Sequence, residues 1–244
     1  MIRLILVALF LLLFLILSIP VFVVEWLVGK CSPHARDISS LHIVQAALKF
    51  ISFLSGCHVT VIGEENVPKD EAVLYIGNHR SYFDVVLTYA RCPGLTSFMA
   101  KQEIARIPLL STWMRFLHCL FLNRKDIKQG LKTILAAIDL IKNGISVFIF
   151  PEGTSSTASD QTELLSFHEG SFKVAAKTDC LIVPVALTNT SQIFEDHIPF
   201  IRSTDVVLEY GKPFRPSDLT KEQKKAIGSY TRELITDMVK KNLQ

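Results

Sequence analysis

The fold of this chain is decided by the stretch Ala72-Val73-Leu74-Tyr75-Ile76-Gly77-Asn78-His79-Arg80-Ser81-Tyr82-Phe83-Asp84. Its apolar first half is typical of a buried strand, and Ser81 is an N-cap candidate ahead of a helix. The pattern predicts that His79 lies in the turn between them and Asp84 in the first helical turn. Residues five apart on one continuous helix point about 140° away from each other, so the two face each other only because a turn intervenes.

A carboxylate that meets an imidazole in this way fixes the tautomer of the ring and stabilises its protonated form. His79 and Asp84 are therefore the candidate catalytic residues. The competing interpretation is a loop histidine beside a helix-capping aspartate, and the pair alone does not decide between the two.

Composition narrows the class of protein. The chain has 244 residues, 49% of them apolar, and much of the apolar excess lies in the first thirty. A net charge of +3 does not indicate nucleic-acid binding, although it suits an anionic membrane surface. The five cysteines are odd in number and contain no C-x-x-C pair. The sequence therefore predicts neither a disulfide framework nor a zinc site, and it favours a reducing compartment.

An apolar stretch runs from Leu4 to Val24, interrupted only by Ser18 and Pro20. It is long enough to cross a hydrocarbon core about 30 Å thick. A cleaved signal peptide is the competing interpretation, which the length and the lack of a small-x-small cleavage site disfavour. Crossing the membrane and re-entering it near Pro20 both fit the pattern, since the flanking charges are too few to set an orientation.

A second helix is predicted over 37–55, capped by Ser39 or Ser40, with apolar side chains along one face. That face either lies in the membrane interface or packs on the following domain, and the pattern fits both equally. Residues 1–56 are therefore predicted to form an N-terminal module of membrane-associating helices. Residues 57–244 are predicted to form an α/β domain.

Short strands alternate with helices along this second region. Strands are predicted over 58–62, 72–77, 97–100, 119–122, 146–150, 181–187 and 206–210, with helices over 82–90, 111–117, 127–143 (capped by Asp126), 169–177 and 220–243. The alternation predicts an α/β fold with a mostly parallel sheet flanked by helices. Functional residues of such sheets gather at the carboxyl ends of the strands.

Reactive side chains follow three of these strands, namely His79, Arg124 and Glu152, and Lys101 follows a fourth. Each alone has a plain structural explanation as a turn residue or a surface charge. The chain lacks a G-x-S-x-G elbow, a phosphate loop and a dinucleotide fingerprint. A covalent nucleophile, a bound metal and a cofactor thus have no support. A general base beside a cationic pocket remains, and it suits attack of an alcohol on an activated acyl carbonyl.

Four blocks of the chain, in order, resemble those of the glycerolipid acyltransferases. They are Asn78-His79-(four residues)-Asp84, Phe121-Leu122-Asn123-Arg124, Phe150-Pro151-Glu152-Gly153-Thr154 and Val183-Pro184-Val185-Ala186. The resemblance covers roughly residues 57–215. It is greatest to bacterial 1-acyl-sn-glycerol-3-phosphate acyltransferases of the PlsC type, whose membrane-associating helix pair the N-terminal module also resembles.

The resemblance implies transfer of an acyl group from a thioester of acyl carrier protein or coenzyme A. The acceptor would be the sn-2 hydroxyl of 1-acyl-sn-glycerol 3-phosphate (lysophosphatidic acid), and the product phosphatidic acid, a step of phospholipid biosynthesis. His79 would be the general base, oriented by Asp84. The active site would lie on the cytoplasmic face of an inner or plasma membrane.

The same resemblance assigns the acceptor site. Arg124 would bind the acceptor phosphate through its planar guanidinium, with Lys101 adding a second charge. Glu152, Gly153 and Thr154 match the acceptor-binding block of the family, in which the carboxylate would hold the glycerol and the glycine would let backbone amides approach closely.

The chain departs from the family at Ser155, where many members carry arginine. This departure leaves open an acceptor with a larger or less charged head group, such as another lysophospholipid. A catalytically silent lipid-binding membrane protein is a third alternative. The intact pair of His79 and Asp84 argues against it, since a binder has no need of a base.

Overall fold

The computed structural model describes residues 1–123 and 126–244. Within that part of the chain, helices cover both faces of a seven-stranded sheet. The strands are β1 (Cys57–Ile62), β2 (Leu74–Gly77), β3 (Thr96–Lys101), β4 (Leu120–Leu122), β5 (Ser146–Ile149), β6 (Ile182–Thr188) and β7 (Thr204–Tyr210). The helices are α1 (Ile2–Cys31), α2 (Pro33–Ser55), α3 (Tyr82–Tyr89), α4 (Leu110–Phe116), α5 (Ile127–Lys142), α6 (Lys173–Thr178), α7 (Lys221–Lys225) and α8 (Ile227–Asn242).

The strands lie in the order β1-β7-β6-β2-β5-β3-β4. The five from β6 to β4 run parallel to one another, whereas β7 pairs antiparallel with β6 and parallel with β1. The prediction of a mostly parallel sheet flanked by helices is therefore confirmed. As a consequence, the carboxyl ends of β2, β3, β4, β5 and β6 meet at one edge of the sheet.

The two faces of the sheet are covered by different layers, because successive side chains of a strand point to opposite sides. Leu74 and Ile76 pack into the layer of α5, α6 and α8. Val73 and Tyr75 pack into the opposite layer, with α2 and α3. All four side chains are buried, so β2 lies at the centre of the core.

The N-terminal helices pack against this second layer. Leu41 and Ile51 of α2 are buried in the core, which settles the alternatives for the predicted apolar face in favour of packing on the domain. Gly56, at φ +71°, ends α2 in the left-handed conformation that favours glycine. The division into regions 1–56 and 57–244 stays a prediction.

Helix α1 also packs along α2 and the sheet domain rather than extending away from them. Leu4 packs with Phe83 of α3, and the Arg3 guanidinium lies against Gly56. Further along, the Trp113 indole N–H donates a 2.8 Å hydrogen bond to the Ser18 hydroxyl. Contacts with the rest of the chain therefore extend over most of the helix, and its other side is apolar and exposed.

Helix α2 begins earlier than the sequence pattern predicts. Ser32, rather than Ser39 or Ser40, caps it by accepting a hydrogen bond from the Ala35 N–H. Pro33 occupies the first helical position, where its fixed φ and missing N–H cost nothing.

The predicted C-terminal helix over 220–243 is interrupted at Ala226, which separates α7 from α8. The Gly228 N–H, at the start of α8, donates to the Glu169 carboxylate over 3.1 Å. The interruption lets Ile235 and Val239 of α8 pack fully buried against the sheet.

Candidate active site

His79 and Asp84 form a hydrogen-bonded pair just beyond the carboxyl end of β2. The Nδ1 atom of His79 lies 2.8 Å from Oδ2 of Asp84. Asp84 is fully buried, whereas His79 is partly exposed and its ring stacks on Phe150 at 4.4 Å between centroids. The carboxylate thereby fixes the tautomer in which Nδ1 carries the proton, and Nε2 is left to accept one.

Backbone amides hold the Asp84 carboxylate in place. Its Oδ2 atom also accepts hydrogen bonds from the Arg80 N–H at 2.7 Å and the Ser81 N–H at 2.8 Å. The Ser81 hydroxyl in turn accepts from the Phe83 N–H, which completes the predicted N-cap of α3. The turn predicted between His79 and Asp84 is thus the structure that brings them together.

Asn78 fixes the turn to the neighbouring strand. Its side-chain amide donates to the Leu187 carbonyl at 2.9 Å and its side-chain carbonyl accepts from the Leu187 N–H at 2.8 Å. The side chain therefore continues the pairing of β2 with β6 by one more position. The sequence motif includes Asn78, but it does not predict the contact with Leu187.

Glu152 connects the turn after β5 to the turn after β2. Its Oε1 atom accepts from the His79 N–H at 2.7 Å, and Oε2 accepts from the Leu165 N–H at 3.0 Å. Burial raises the pKa of the Glu152 carboxyl, and the two amide hydrogen bonds partly oppose that rise. Both carboxylate oxygens are therefore occupied by backbone donors, which favours a role in positioning His79. Direct contact with the acceptor glycerol stays a prediction.

The rest of this block lies at the surface next to Glu152. Gly153 has φ +77°, and its N–H donates to the Phe150 carbonyl within the turn at 3.1 Å. Thr154 and Ser155 are exposed. The Ser156 N–H then donates to the His79 carbonyl at 2.8 Å, so the loop after Glu152 returns to the catalytic turn.

The Arg80 side chain holds the same loop by hydrogen bonds. Its guanidinium is buried and donates to the carbonyl of Ala158 and, at 3.5 Å, to that of Asp160. The hydrogen bonds hold the loop over the catalytic turn. Sequence analysis did not single out Arg80, since its position inside the motif gives no sign of where the side chain goes.

Glu195 also contacts this turn, and sequence analysis did not single it out. Its Oε2 accepts from the Ser81 hydroxyl at 2.7 Å and its Oε1 from the Tyr82 N–H at 2.8 Å. Burial raises the pKa of the Glu195 carboxyl, against the effect of these hydrogen bonds. Because more than a hundred residues separate Glu195 from Ser81, no local pattern indicates the contact.

Lys101 ends β3 at the same edge of the sheet, opposite Leu122 in the register of β4. Its side chain is largely exposed and lies 3.8 Å from the Glu103 carboxylate. The predicted phosphate ligand Arg124 follows β4 but lies outside the described residues.

Within residues 1–123 and 126–244, no three or more His, Cys, Asp and Glu side chains group together in a way that could hold a metal ion.

Comparison with known proteins gives the family. Residues 58–188 match the model of the Acyltransferase family. The 1-acyl-sn-glycerol-3-phosphate acyltransferase of Borreliella burgdorferi is 31% identical over 199 residues, which are 80% of this chain and 77% of that protein. The yeast protein of the same name, from Saccharomyces cerevisiae, is 26% identical over 88% of this chain and 65% of its own length.

A solved structure supports the fold. The crystal structure of the 1-acyl-sn-glycerophosphate acyltransferase PlsC from Thermotoga maritima superimposes with a TM-score of 0.75, at 23% identity, over 98% of this chain and 97% of that one. Its similarity extends over the N-terminal helices as well as the sheet. With the sequence blocks around His79 and Glu152 in place, the chain belongs to the acyltransferase family, in which it stands with the 1-acyl-sn-glycerol-3-phosphate acyltransferases.

Proposed function

We propose that this enzyme transfers an acyl group from a soluble acyl thioester to the sn-2 hydroxyl of 1-acyl-sn-glycerol 3-phosphate, which gives phosphatidic acid. The observation that carries the proposal is the pairing of His79 with Asp84 at the edge where the parallel strands end. The names of the relatives supply the acceptor, and the thioester supplies the activated carbonyl that the base requires.

The reaction follows from the position of the imidazole. Nε2 of His79 takes the proton of the acceptor hydroxyl as its oxygen attacks the thioester carbonyl carbon. Asp84 stabilises the imidazolium that forms. When the tetrahedral intermediate collapses, the carbon–sulfur bond breaks and the imidazolium proton goes to the departing thiolate. A base positioned in this way typically contributes about 10²–10⁴-fold to the rate.

Binding of the acceptor is assigned to the neighbouring strand ends. Arg124 binds the phosphate and Lys101 adds positive charge nearby, because Lys101 ends β3 and Arg124 comes two residues after β4, at the sheet edge where His79 lies. The turn of Glu152, Gly153 and Thr154 borders the same space. In this arrangement the glycerol lies between the phosphate-binding residues and Nε2.

The N-terminal helices support a position of the enzyme on a membrane. Contacts of α1 with the α/β domain run from Leu4, which packs into the cluster of Phe83, to Phe22, whose ring lies 4.9 Å from that of Trp113. At 1.5 Å per residue this span is about 27 Å, close to the full thickness of a hydrocarbon core. A helix held along a folded domain over that length lies in one leaflet rather than crossing the bilayer. The apolar outer face of α1 supports this placement.

The active site then faces the compartment that supplies the donor. An acyl thioester of acyl carrier protein or coenzyme A is soluble, whereas the lysolipid is embedded in the membrane. A cytoplasmic face of an inner or plasma membrane meets both requirements, and the free cysteines of the described chain fit a reducing compartment.

The test is a panel of acceptors. Purified protein in mild detergent receives an acyl thioester, once on coenzyme A and once on acyl carrier protein, with His79→Ala as the blank. The acceptors are lysophosphatidic acid, glycerol 3-phosphate, lysophosphatidylethanolamine and lysophosphatidylcholine. A strong preference for lysophosphatidic acid is expected. A preference for lysophosphatidylethanolamine or lysophosphatidylcholine would overturn the acceptor assignment and would indicate that Ser155 takes part in acceptor choice. Activity equal to that of His79→Ala would overturn the assignment as an acyltransferase.

A further inference from the structure

A run of three exposed apolar residues, Ile198-Pro199-Phe200, lies in the loop that carries Glu195. Ile198 is 64% exposed and Phe200 is 45% exposed. Consecutive exposed apolar residues are unfavourable in water unless another surface covers them. Below, "the apolar loop" means residues 194–201.

The apolar loop is held in one shape. The His197 N–H donates to the Phe194 carbonyl at 3.0 Å, and the Phe200 N–H donates to the His197 carbonyl at 2.7 Å. The Ser191 hydroxyl donates to the Asp196 carboxylate at 3.0 Å. These bonds keep Ile198 and Phe200 turned outward, so their exposure is a property of the folded loop.

The apolar loop is attached to the catalytic turn. Glu195 accepts hydrogen bonds from the Ser81 hydroxyl and the Tyr82 N–H, and Tyr82 is itself 76% exposed. An aromatic ring with a polar tip is the side chain that prefers the boundary between lipid and water. Through Glu195, the apolar loop is thus attached to the segment that carries the exposed Tyr82, three residues after His79.

The apolar loop is also continuous with the surface of α1. Phe194 and Ile201, which flank the exposed run, pack into the same cluster as Leu4 and Val7 of α1. The outer face of α1 is apolar and exposed over most of its length. The apolar loop therefore lies beside the first turns of α1, whose outer face is the one proposed to meet the membrane.

We infer that Ile198, Phe200 and Tyr82 form a second membrane contact, which inserts at the boundary of the head groups and acyl chains beside His79. The inference rests on the proposed function, in which the acceptor is a lysolipid. Along this contact the lysolipid moves from the bilayer to Nε2 without passing through water. Glu195 joins the contact to the turn that carries Asp84.

The first test measures lipid contact by fluorescence. The chain has two tryptophans, Trp26, which is exposed, and Trp113, which is buried. In a Trp26→Phe background, Phe200→Trp is compared with Leu131→Trp after reconstitution into vesicles of phosphatidylcholine and phosphatidylglycerol with brominated acyl chains. Leu131 is a matched control because it is 56% exposed on α5, in the layer on the other face of the sheet.

The expected result is a blue-shifted and quenched emission for the indole at 200 and an aqueous, unquenched emission for the one at 131. Emission of the indole at 200 that stays aqueous, or equal quenching at the two positions, would overturn the inference. A blue shift in detergent without lipid that grows with protein concentration would also overturn it, since another copy of the chain would then cover the loop.

A second test separates membrane contact from a structural role and from failure of the proposed function. Phe200→Glu is expected to lower kcat/KM about tenfold on vesicle-embedded lysophosphatidic acid, because binding to lipid scales with buried apolar area. On a monomeric short-chain lysophosphatidic acid, Phe200→Glu is expected to have the kcat/KM of the wild-type protein. The control variant Leu131→Glu is expected to have the wild-type kcat/KM on both acceptors. Equal loss on both acceptors would overturn the inference. If the wild-type protein acylated neither acceptor, the proposed function would fail, and the fluorescence result would still decide on membrane contact.

Discussion

Oε1 of Glu152 lies 2.7 Å from the backbone nitrogen of His79, so a buried carboxylate at one strand end holds the proposed base at the neighbouring strand end. A variant of Glu152 can therefore distinguish a role in positioning His79 from a role in binding the acceptor glycerol. Glu152→Ala is expected to lower kcat by about 10²-fold, since small displacements of a catalytic group have effects of this size. The acceptor KM should stay within about twofold of the wild-type value, as expected when an interaction only of the transition state is removed.

The matched control is Glu163→Ala, an exposed glutamate in the same loop, and steady-state kinetics with varied acceptor is the measurement. If Glu152→Ala instead raises the acceptor KM at unchanged kcat, the carboxylate binds the glycerol directly.

The catalytic base can be tested against a second histidine–aspartate pair. His118 Nε2 lies 2.6 Å from Asp37 Oδ2, in a contact between α2 and the segment before β4. His79→Asn is expected to lower kcat by about 10²–10⁴-fold. His118→Asn, where asparagine tolerates the positive φ of that position, is expected to keep most of the activity per folded molecule. Substantial transfer by His79→Asn would remove His79 from its assigned role.

The contact between Glu195 and Ser81 predicts non-additive kinetics. Glu195→Ala and Ser81→Ala should each lower kcat by roughly tenfold, because both loosen the turn that carries Asp84. The double variant should be no slower than the slower single variant, since residues that act through one contact do not add. Asp205→Ala, an exposed carboxylate on β7, serves as the control. Fully additive losses would show that the two residues act independently.

Burial of Glu152 predicts a particular dependence of stability on pH. Its raised pKa means that the folded protein binds this proton more tightly than the unfolded chain. The contribution of this carboxyl to the free energy of unfolding therefore grows as the pH falls from above the raised pKa towards 4.5, and it is lost as the pH rises again.

The measurement is urea unfolding in mild detergent at several pH values, for the wild-type protein and Glu152→Gln. The other carboxyl groups cancel in the difference between the two. The stability of the wild-type protein relative to the variant should increase on acidification through that window. A difference that stays constant or shrinks would mean that the pKa is not raised.

The phosphate-binding role of Arg124 predicts a specific defect in binding. Arg124→Ala should raise the acceptor KM by about tenfold or more, because a hydrogen bond to a charged group is worth roughly 1.5–3 kcal/mol. The effect should vanish with an uncharged acceptor analogue. Lys128→Ala, an exposed cation in the first turn of α5, is the control. An unchanged acceptor KM for Arg124→Ala would show that Arg124 does not bind the acceptor phosphate.

The local features of the site could be predicted from the sequence. The run from Leu74 to Asp84 has the strand pattern, the N-cap and the five-residue spacing from which the strand, the turn and the facing pair all follow. The sheet was predictable for the same reason, since alternation of short strands and helices favours parallel pairing.

The contacts between distant parts of the chain could not be predicted in this way. Glu195 reaches Ser81, and Glu152 reaches His79, only because the fold brings separate loops to one edge of the sheet. The sequence marks Glu152 as a strand-end residue but does not indicate its contact with His79, and it gives no sign of Glu195. The start of α2 was missed for a related reason: Ser32, Ser39 and Ser40 are equally good caps by composition, and the packing of α1 on α2 selects the first.

The packing of α1 along the catalytic region has a geometric consequence. With Leu4 and Ser18 both in contact with the domain, the height of Nε2 above the outer face of the helix is fixed. A lysolipid held in one leaflet presents its single free hydroxyl at a depth set by its head group and acyl chain. Acceptor choice therefore depends on the depth of that hydroxyl as well as on the shape of the site.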